Sequence, residues 1–284
     1  MKIVISILVY KSSLDILSKN LYMFSKQDFL DNSDNSIEIV ICDNDRGSQI
    51  EEIIALSSRL NIKNVHFIES DNVGFGGGHN KTFSFAKNNF QFDYFLVVNP
   101  DGVPHPRMIN YLIDFASNNK NQVIFEAMQF PVEHPKIYNP ETKETAWCSG
   151  CCCMFPSKIF DDLKGFDDRF FMYMEDVDIS WHARYSGYNC YTVDDALFSH
   201  SVSNKDRDLQ KQDIFMHKSA YKLAIKYHNQ EFANKVLLKL KKLITSDEIS
   251  LLEDEALQMK IEDVSRYKNI INFNKKFYFS ESRW

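Results

Sequence analysis

The segment Tyr94-Phe95-Leu96-Val97-Val98-Asn99-Pro100-Asp101 runs from an uninterrupted apolar stretch directly into an acidic turn. A short continuous apolar run predicts a strand that is buried on both faces, as in a parallel sheet. Asp101 would then lie just beyond the carboxyl end of that strand, where open α/β sheets bind their ligands. A simple turn at residues 99–102 is the alternative, because Pro and Gly favour turns.

Apolar runs alternate with helical patterns through the N-terminal part of the chain. The predicted strands are Ile3–Val9, Ile37–Cys42, Val65–Ile68 and Tyr94–Val98. The predicted helices are Leu14–Phe24, Gln49–Arg59, Asn80–Asn89 and Pro106–Asn118. This alternation predicts an α/β fold built from βαβ units, with a mainly parallel central sheet. Right-handed crossovers then place the carboxyl ends of the strands at one ligand-binding edge.

A second acidic stretch, Glu175-Asp176-Val177-Asp178, stands between aromatic residues and a predicted helix over Met174–Tyr188, which Gly187 would end. Carboxylates beside apolar walls are costly unless a cation or a proton satisfies them. A divalent metal that carries a phosphorylated substrate would meet this requirement and leave one carboxylate to act as a base. Acidic side chains also suit the first turn of a helix, so one of them could be a cap.

Composition limits the classes of protein that this chain can be. Its 284 residues suit one sizeable α/β domain with an appendage, or two small domains. A net charge of −6 argues against a nucleic-acid binder. No apolar stretch approaches the ~20 residues of a spanning helix, so we expect a cytoplasmic protein. Among the six cysteines, Cys148 and Cys151 form a C-x-x-C without a second pair, which favours a buried strand over a zinc site.

The pattern becomes helical after about residue 204. We predict a catalytic domain of residues 1–203 and a helical extension of residues 204–284, with helices at Asp208–His228, Glu231–Ile244 and Asp247–Val264. Lysines recur at helical spacing in two rows, Lys218, Lys222 and Lys226, and Lys235, Lys239 and Lys242. These rows indicate peripheral contact with an anionic membrane surface. A solvated helix face, or a homodimer contact through the same helices, is the alternative.

Three further motifs carry groups that could serve a site. Asp43-Asn44-Asp45 follows the second strand and could bind a nucleobase or ribose, or form a turn or helix cap. Asn72–Asn80 is rich in glycine, which lets the backbone approach a phosphate or sugar, but its spacing is not that of a nicotinamide-binding loop. His200 would add an imidazole to oxygen ligands in a mixed metal shell.

In combination, these motifs resemble the family 2 inverting glycosyltransferases of the GT-A fold, specifically the rhamnosyltransferase-like branch that builds bacterial surface polysaccharides. The matching segments follow the family's order across residues 1–203. They are Ile3–Tyr10, Asp43-Asn44, Asn72–Gly76, Val98–Asp101, Trp147–Gly150, Gly165–Phe171, Tyr173–Asp178, Gly187-Tyr188 and His200. The helical extension carries little diagnostic sequence.

The resemblance implies a nucleotide-sugar donor, with dTDP-rhamnose favoured and UDP-linked galactofuranose or hexoses as alternatives. The acceptor would be a saccharide or lipid-linked saccharide in O-antigen or capsule-type synthesis, and the reaction would occur at or near the inner face of the membrane. A sugar nucleotidyltransferase and a non-catalytic binding module are the competing classes. The first is disfavoured because Ser6–Ser13 contains no glycine.

The resemblance also implies roles for individual residues. Mg²⁺ or Mn²⁺ would be held by Asp101 and His200, with Asn99 standing where the family has its first Asp. Asp176 would be the catalytic base. The implied donor-binding residues are Tyr10, Asp43, Asn72, Gly74, Phe75, Gly76, Asn99 and Asp101. The implied acceptor-binding residues are Trp147, Gly150 and Glu175, although Trp147 could equally be a core residue.

Overall fold

The computed structural model describes residues 1–120, 122–200 and 208–281. Strands and helices alternate along the described chain, and its C-terminal part is helical. The strands are β1 (Lys2–Val9), β2 (Ser36–Asp43), β3 (Val65–Glu69), β4 (Tyr94–Val98), β5 (Gly102–Pro104), β6 (Val123–Phe130), β7 (Glu144–Thr145), β8 (Cys152–Pro156) and β9 (Asn189–His200). The helices are α1 (Leu14–Phe24), α2 (Ile50–Arg59), α3 (Gly74–Asn89), α4 (Met108–Asn118), α5 (Ser157–Asp162), α6 (Glu175–Tyr185), α7 (Leu209–Lys226), α8 (Gln230–Leu240) and α9 (Ser246–Gln258).

The strands of the described residues form one sheet in the order β3-β2-β1-β4-β8-β6-β9-β5, with β7 also paired to β9. Its first four strands run parallel. The chain builds this half outward from β1, first through β2 to β3 and then, on the other side, to β4. The crevice between the carboxyl ends of β1 and β4 is therefore the topological switch point, where open α/β sheets bind ligands.

The other half of the sheet is mixed. β8 runs antiparallel to both β4 and β6, whereas β6 and β9 run parallel. β9 then returns antiparallel to β5, with Gly102 opposite His200. This register brings the last residue of β9 next to the turn that follows β4.

Helices cover both faces of the sheet, so alternate residues of β1 enter different cores. Ile3, Ile5 and Ile7 pack with apolar residues of α1, α2 and α4. Val4 packs on the opposite face with Phe83 of α3 and neighbouring aromatic residues. This layering is typical of α/β proteins with a parallel sheet and confirms the predicted fold class.

The C-terminal helices share a core with α6. Trp147, Phe170 and Trp181 belong to the same apolar cluster as buried residues of α7, α8 and α9. The ring of Trp181 contacts those of Tyr227 and Phe273 at centroid distances of 5.2 and 5.4 Å. The predicted boundary between residues 203 and 204 lies outside the described residues, and the division into two domains stays a prediction.

Two local expectations differ from the structure. Helix α3 begins at Gly74 rather than Asn80, so the glycine-rich segment forms its first turns instead of a loop. Tertiary packing overrides the low helix propensity of glycine here, as the close approach of Phe166 described below shows. In the cysteine-rich segment, strand β8 begins only at Cys152, although all six cysteines are buried and none is part of a disulfide.

Within residues 1–120, 122–200 and 208–281, the helices are all too short or too polar to cross a membrane.

Candidate active site

A cavity of about 850 Å³ opens at the carboxyl ends of the parallel strands. Its walls come from the residues that follow β1, β2, β3 and β4, from Ser149–Cys151, from Phe171–Tyr173 with Glu175 and Asp176, and from the start of α7. The predicted site residues in its lining are Tyr10, Asn72, Gly74, Phe75, Asn99, Asp101, Gly150, Glu175, Asp176 and His200. Residues of both acidic motifs, which are far apart in the sequence, therefore line the same cavity.

Asp101 and His200 meet because of the sheet register. Asp101 directly precedes Gly102, which pairs with His200 across β5 and β9. His200 Nε2 lies 3.2 Å from Asp101 Oδ1. His200 is almost fully buried, whereas about a third of the Asp101 side chain stays accessible. A carboxylate and an imidazole are thereby presented together at the cavity wall.

Asp176 lies in the first turn of α6, which the chain enters through two left-handed residues. Tyr173 and Met174 have φ values of 68° and 70°, a conformation that costs energy in residues other than glycine. Asp176 Oδ1 accepts a hydrogen bond from the Val177 amide at 2.8 Å, and Oδ2 accepts one from the Gly150 amide at 3.3 Å. The carboxylate is therefore held in a fixed orientation while it still lines the cavity.

Asp178, one half-turn further along α6, has a different environment. Lys226 Nζ lies 2.7 Å from its Oδ1 and donates to its Oδ2 at 2.9 Å. The Tyr227 hydroxyl donates to Oδ1 at 2.9 Å. Asp178 is buried and does not line the cavity. Its carboxylate joins α6 to α7 and is not placed to act on a substrate.

The loop that carries Gly150 is bound through its backbone to a buried ion pair between Glu126 and Lys136. Glu126 Oε2 accepts a hydrogen bond from the Ser149 amide at 2.6 Å. Lys136 Nζ also donates to the Trp147 carbonyl at 2.8 Å. Burial raises the pKa of Glu126 to about 7, while the neighbouring ammonium of Lys136 acts in the opposite direction. Successive amides at 149 and 150 thus bind Glu126 and Asp176.

The start of α3 is fitted closely to the segment that precedes α6. Gly74 has a φ of +79°, and a Cβ there would lie 2.0 Å from the Phe171 carbonyl oxygen. That same carbonyl accepts a hydrogen bond from the Phe75 amide at 2.9 Å. Asn44 adds a second tie, since its side-chain amide donates to the Gly74 carbonyl at 3.1 Å. A side chain at position 74 would separate these two walls of the cavity.

Three residues predicted for substrate binding have structural positions instead. Asp43 is fully buried, and its two carboxylate oxygens accept the amides of Asp45 and Gln49 at 2.8 and 2.7 Å. It therefore shapes the turn into α2, the alternative left open by the sequence. Gly76 lies inside α3, where a Cβ would come within 2.8 Å of the Cβ of Phe166. Neither residue lines the cavity.

Trp147 is the third correction. Its side chain is fully buried in the cluster that joins α6 to the C-terminal helices, so it offers no face to an acceptor sugar. It acts on the cavity through a neighbour, because its ring packs edge-on against His134 at 5.1 Å. His134 does line the cavity.

Sequence reasoning missed several cavity residues. Asn44 belongs to the Asp43-Asn44-Asp45 motif, but the sequence analysis assigns only Asp43 of that motif to the donor, whereas Asn44 is the member that lines the cavity. His134 belongs to no recognised motif, because it follows β6 in an irregular segment. Phe171 ends the matching segment Gly165–Phe171, but no role is assigned to it from the sequence. The contribution of α7 was also missed, although Asp208, Lys211, Gln212 and Phe215 show helical spacing on one face.

The first lysine row is occupied by contacts within the chain. Lys218 pairs with Glu248, Lys222 pairs with Glu255, and Lys226 pairs with Asp167 and Asp178. This row therefore faces α9 and α6 rather than a membrane, which corrects the expectation for it. In the second row, Lys235 and Lys239 are exposed and both lie near Glu281.

The fit of a divalent metal depends on the Asp101–His200 pair. The described residues contain no group of three or more His, Cys, Asp or Glu side chains that could hold a metal ion. A metal beside Asp101 and His200 would thus have two protein ligands, one oxygen and one nitrogen. This donor set fits Mg²⁺ or Mn²⁺ when substrate phosphates complete the shell.

Comparison with known proteins agrees with this architecture. Residues 7–147 match the family model described as Glycosyl transferase family 2. Among solved structures, the mannosyltransferase PcManGT from Pyrobaculum calidifontis in complex with GDP-Man and Mn²⁺ superposes with a TM-score of 0.60. It is 12% identical, and the superposition covers 97% of this chain and 84% of that one. At this identity the likeness shows the fold, which is that of the GT-A glycosyltransferases.

Curated relatives point to the same family. An N-acetylglucosaminyl-diphospho-decaprenol L-rhamnosyltransferase of Mycobacterium tuberculosis (strain CDC 1551 / Oshkosh) is 32% identical over 83 residues, a match that spans 29% of this chain and 27% of that relative. The low-salt glycan biosynthesis hexosyltransferase Agl10 of Haloferax volcanii is 23% identical over 255 residues, with 81% and 74% of the two chains covered. The chain thus contains a domain of glycosyl transferase family 2, which the match places within residues 7–147.

Proposed function

We propose that this protein transfers a sugar from a nucleotide-linked donor to a hydroxyl group of a saccharide or lipid-linked saccharide acceptor, with inversion at the anomeric carbon. The observation that carries the proposal is the shared cavity of Asp176, Asp101 and His200. A single displacement needs a base on one side of the reacting carbon and a site for the leaving diphosphate on the other. One cavity here contains candidates for both.

Asp176 is the proposed base. Its carboxylate is held by the Val177 and Gly150 amides, yet it lines the cavity, so an acceptor hydroxyl can reach it. As that hydroxyl attacks the anomeric carbon, its proton passes to Asp176 and the bond to the nucleoside diphosphate breaks. The anomeric configuration inverts in this one step. A covalent intermediate with the enzyme is not required.

The leaving diphosphate is proposed to lie near Asp101 and His200. When bound there, Mg²⁺ or Mn²⁺ would supply positive charge that stabilises the departing phosphate oxygens. Asn99 contributes an amide where a second carboxylate would add charge, so we expect metal affinity to depend on the bound nucleotide. The Pyrobaculum mannosyltransferase with GDP-Man and Mn²⁺ supports this arrangement by analogy of fold.

For the donor, we propose L-rhamnose from dTDP-rhamnose, with UDP-linked hexoses or galactofuranose as alternatives. The support is the name of the mycobacterial relative, a rhamnosyltransferase that acts on a diphospho-decaprenol acceptor. The hexosyltransferase relative supports the broader donor class. A lipid-linked acceptor would bring the protein to a membrane surface, and the lysine row at α8 is the part of the chain that we propose for that contact.

The experiment is a donor panel with purified protein. Release of nucleoside diphosphate is measured with dTDP-rhamnose, UDP-galactose, UDP-glucose and GDP-mannose, with and without a chelator. We expect one donor to dominate and its turnover to stop on chelation and return with Mg²⁺ or Mn²⁺. Absence of release from every donor, at several metal concentrations, would contradict the proposed activity. Full turnover after exhaustive chelation would contradict only the metal assignment.

A further inference from the structure

One face of α7 forms a wall of the cavity. Asp208, Lys211, Gln212 and Phe215 all line it, with the i, i+3, i+4, i+7 spacing of a single helical face. Asp208 caps the helix by accepting the Lys211 amide at 3.0 Å. The C-terminal helices therefore do more than cover an apolar surface, because their first member contributes side chains to the same space as Asp176.

An adjacent stripe of α7 fixes this wall relative to the segment that leads into Asp176. The Ser219 hydroxyl donates to the Met172 carbonyl at 2.7 Å, and Lys222 Nζ donates to the Arg169 carbonyl at 3.0 Å. Further along, Lys226 binds Asp178 on α6 itself. These contacts recur every three or four residues, so α7 is tied along its length to the segment that leads into the base and to α6.

The wall carries an aromatic pair with polar neighbours. The rings of Phe171 and Phe215 lie 5.2 Å apart with an interplanar angle of 34°. Lys211 Nζ lies 5.8 Å from the centroid of the Phe215 ring. Both rings are only half-buried, and Lys211 is exposed. Apolar rings with a few hydrogen-bond donors beside them form the kind of surface that orients a small polar ligand.

We propose that this surface is the acceptor subsite: Phe171 and Phe215 pack against the apolar face of an acceptor saccharide ring, and Lys211 and Gln212 donate hydrogen bonds to its hydroxyl groups. The inference rests on the proposed glycosyl transfer. It assigns the ring to the acceptor rather than the donor because α7 is tied to the segment that ends at the base. Residues after β1, β2 and β3 also line the cavity, and the proposed function assigns the donor to them.

The test compares Phe215→Ala and Lys211→Ala with the wild type and with Gln210→Ala, a change at an exposed α7 position outside the cavity lining. Release of nucleoside diphosphate is measured with donor alone, where water is the acceptor, and with a panel of methyl hexosides and their matching disaccharides. Circular dichroism checks folding, and Phe215→Tyr restores the ring. Lys211→Ala is an exposed change that leaves the packing intact.

We expect Phe215→Ala to raise the acceptor KM about five- to tenfold, the loss expected for one aromatic contact. Lys211→Ala should raise it about two- to fivefold, as for one lost hydrogen bond. The donor KM and donor-alone release should stay at the wild-type values in both, and Gln210→Ala and Phe215→Tyr should behave as wild type. An equal rise in donor KM, or an unchanged acceptor KM, would overturn the subsite.

Two outcomes separate this proposal from the proposed function. If the wild type releases nucleoside diphosphate but no saccharide accelerates the release, the saccharide subsite is wrong while donor chemistry stands. If no donor reacts at all, saturation-transfer NMR with the same methyl hexosides and disaccharides still tests whether a saccharide binds at the proposed acceptor subsite. A signal in the wild type that Phe215→Ala loses supports the subsite, and its absence in the wild type contradicts it.

Discussion

The cavity has two walls that are built in different ways. The first follows the parallel half of the sheet, where Tyr10 and Asn99 come directly after β1 and β4. The second is assembled from the loop of Gly150, the start of α6 and the start of α7. Strand ends position Tyr10 and Asn99 in the first wall. The second depends on buried charges, notably the Glu126–Lys136 pair and the contacts of Lys226.

Asp176 and Asp178 show what this difference means for function. Both are buried acidic residues in the first turn of the same helix, and their sequence context is nearly identical. One lines the cavity, whereas the other is bound by Lys226 and Tyr227. The contacts of Asp178 with Lys226 and Tyr227, and that of Asp176 with the Gly150 amide, distinguish the proposed base from a structural anchor. An acidic motif therefore marks a site without saying which of its members acts.

The largest effect that we predict is on turnover, and it distinguishes the role of Asp176 from that of Asp178. Asp176→Asn should lower kcat by about 10²–10⁴, because the amide keeps the shape but cannot accept a proton. Donor binding should change little. Steady-state release of nucleoside diphosphate and calorimetric titration with the nucleotide measure the two quantities. Asp178→Asn should instead lower stability, and undiminished turnover in Asp176→Asn would contradict the assignment of the base.

The second prediction concerns the contribution of the second wall to folding stability. Lys226→Met leaves the buried Asp178 and the half-buried Asp167 with fewer partners, and breaking a buried pair typically costs about 3–5 kcal/mol. At present Arg169 and Lys226 hold the pKa of Asp167 down to about 2, although burial alone would raise it. Urea denaturation measures the loss of stability. Lys218→Met is the matched control, because its pair with Glu248 is exposed and should contribute less than about 1 kcal/mol.

The third prediction compares how folding stability depends on pH through one residue behind each wall. His79 of α3 is fully buried beside β1, where its Nδ1 lies 2.6 Å from the Ser6 hydroxyl, and burial lowers its pKa to about 3. Between pH 6.5 and 3 the unfolded chain binds a proton at this residue that the folded chain does not. Stability should therefore fall with pH, by about 2 kcal/mol at pH 5 from this residue.

Glu126, which holds the loop of the second wall through the Ser149 amide, changes stability with pH in the opposite direction. Its pKa is raised to about 7, so the folded state binds the extra proton between pH 7 and 4.5 and gains stability as pH falls. The two residues partly cancel in the wild type. Urea midpoints from pH 7 to 5 should show His79→Gln gaining stability relative to the wild type and Glu126→Gln losing it. Parallel profiles for all three proteins would refute both assignments.

The smallest expected effect concerns the lysine rows. Near an anionic surface each lysine contributes about 1 kcal/mol, and salt screens this attraction. Replacing Lys235, Lys239 and Lys242 with Gln should reduce co-sedimentation with anionic vesicles at low salt. Replacing Lys218 and Lys222 should not, because they pair with Glu248 and Glu255 on α9. Equal recovery of the wild type with neutral and anionic vesicles would exclude membrane contact.

Much of the fold could be predicted because its signals are local. The limits of β4 and α1 agree with the predicted ones, since an unbroken apolar run or a helical repeat needs no information from elsewhere. The start of α3 was mispredicted for the opposite reason. Glycines at 74 and 76 weaken a helix in isolation, and the contacts with Phe171 and Phe166 that explain them are made by distant parts of the chain.

The sequence by itself determined the parallel half of the sheet, the placement of Asp101 at a strand end and the presence of a second acidic cluster. Tertiary structure decided which members of these motifs face the cavity. It buried Asp43 and Trp147, placed Asp176 but not Asp178 in the lining of the cavity, and brought α7 to that cavity. The physical reason is the separation along the chain over which each signal acts. Strand and helix signals arise from neighbours in the chain, whereas the exposure and partners of a side chain depend on residues that folding brings together.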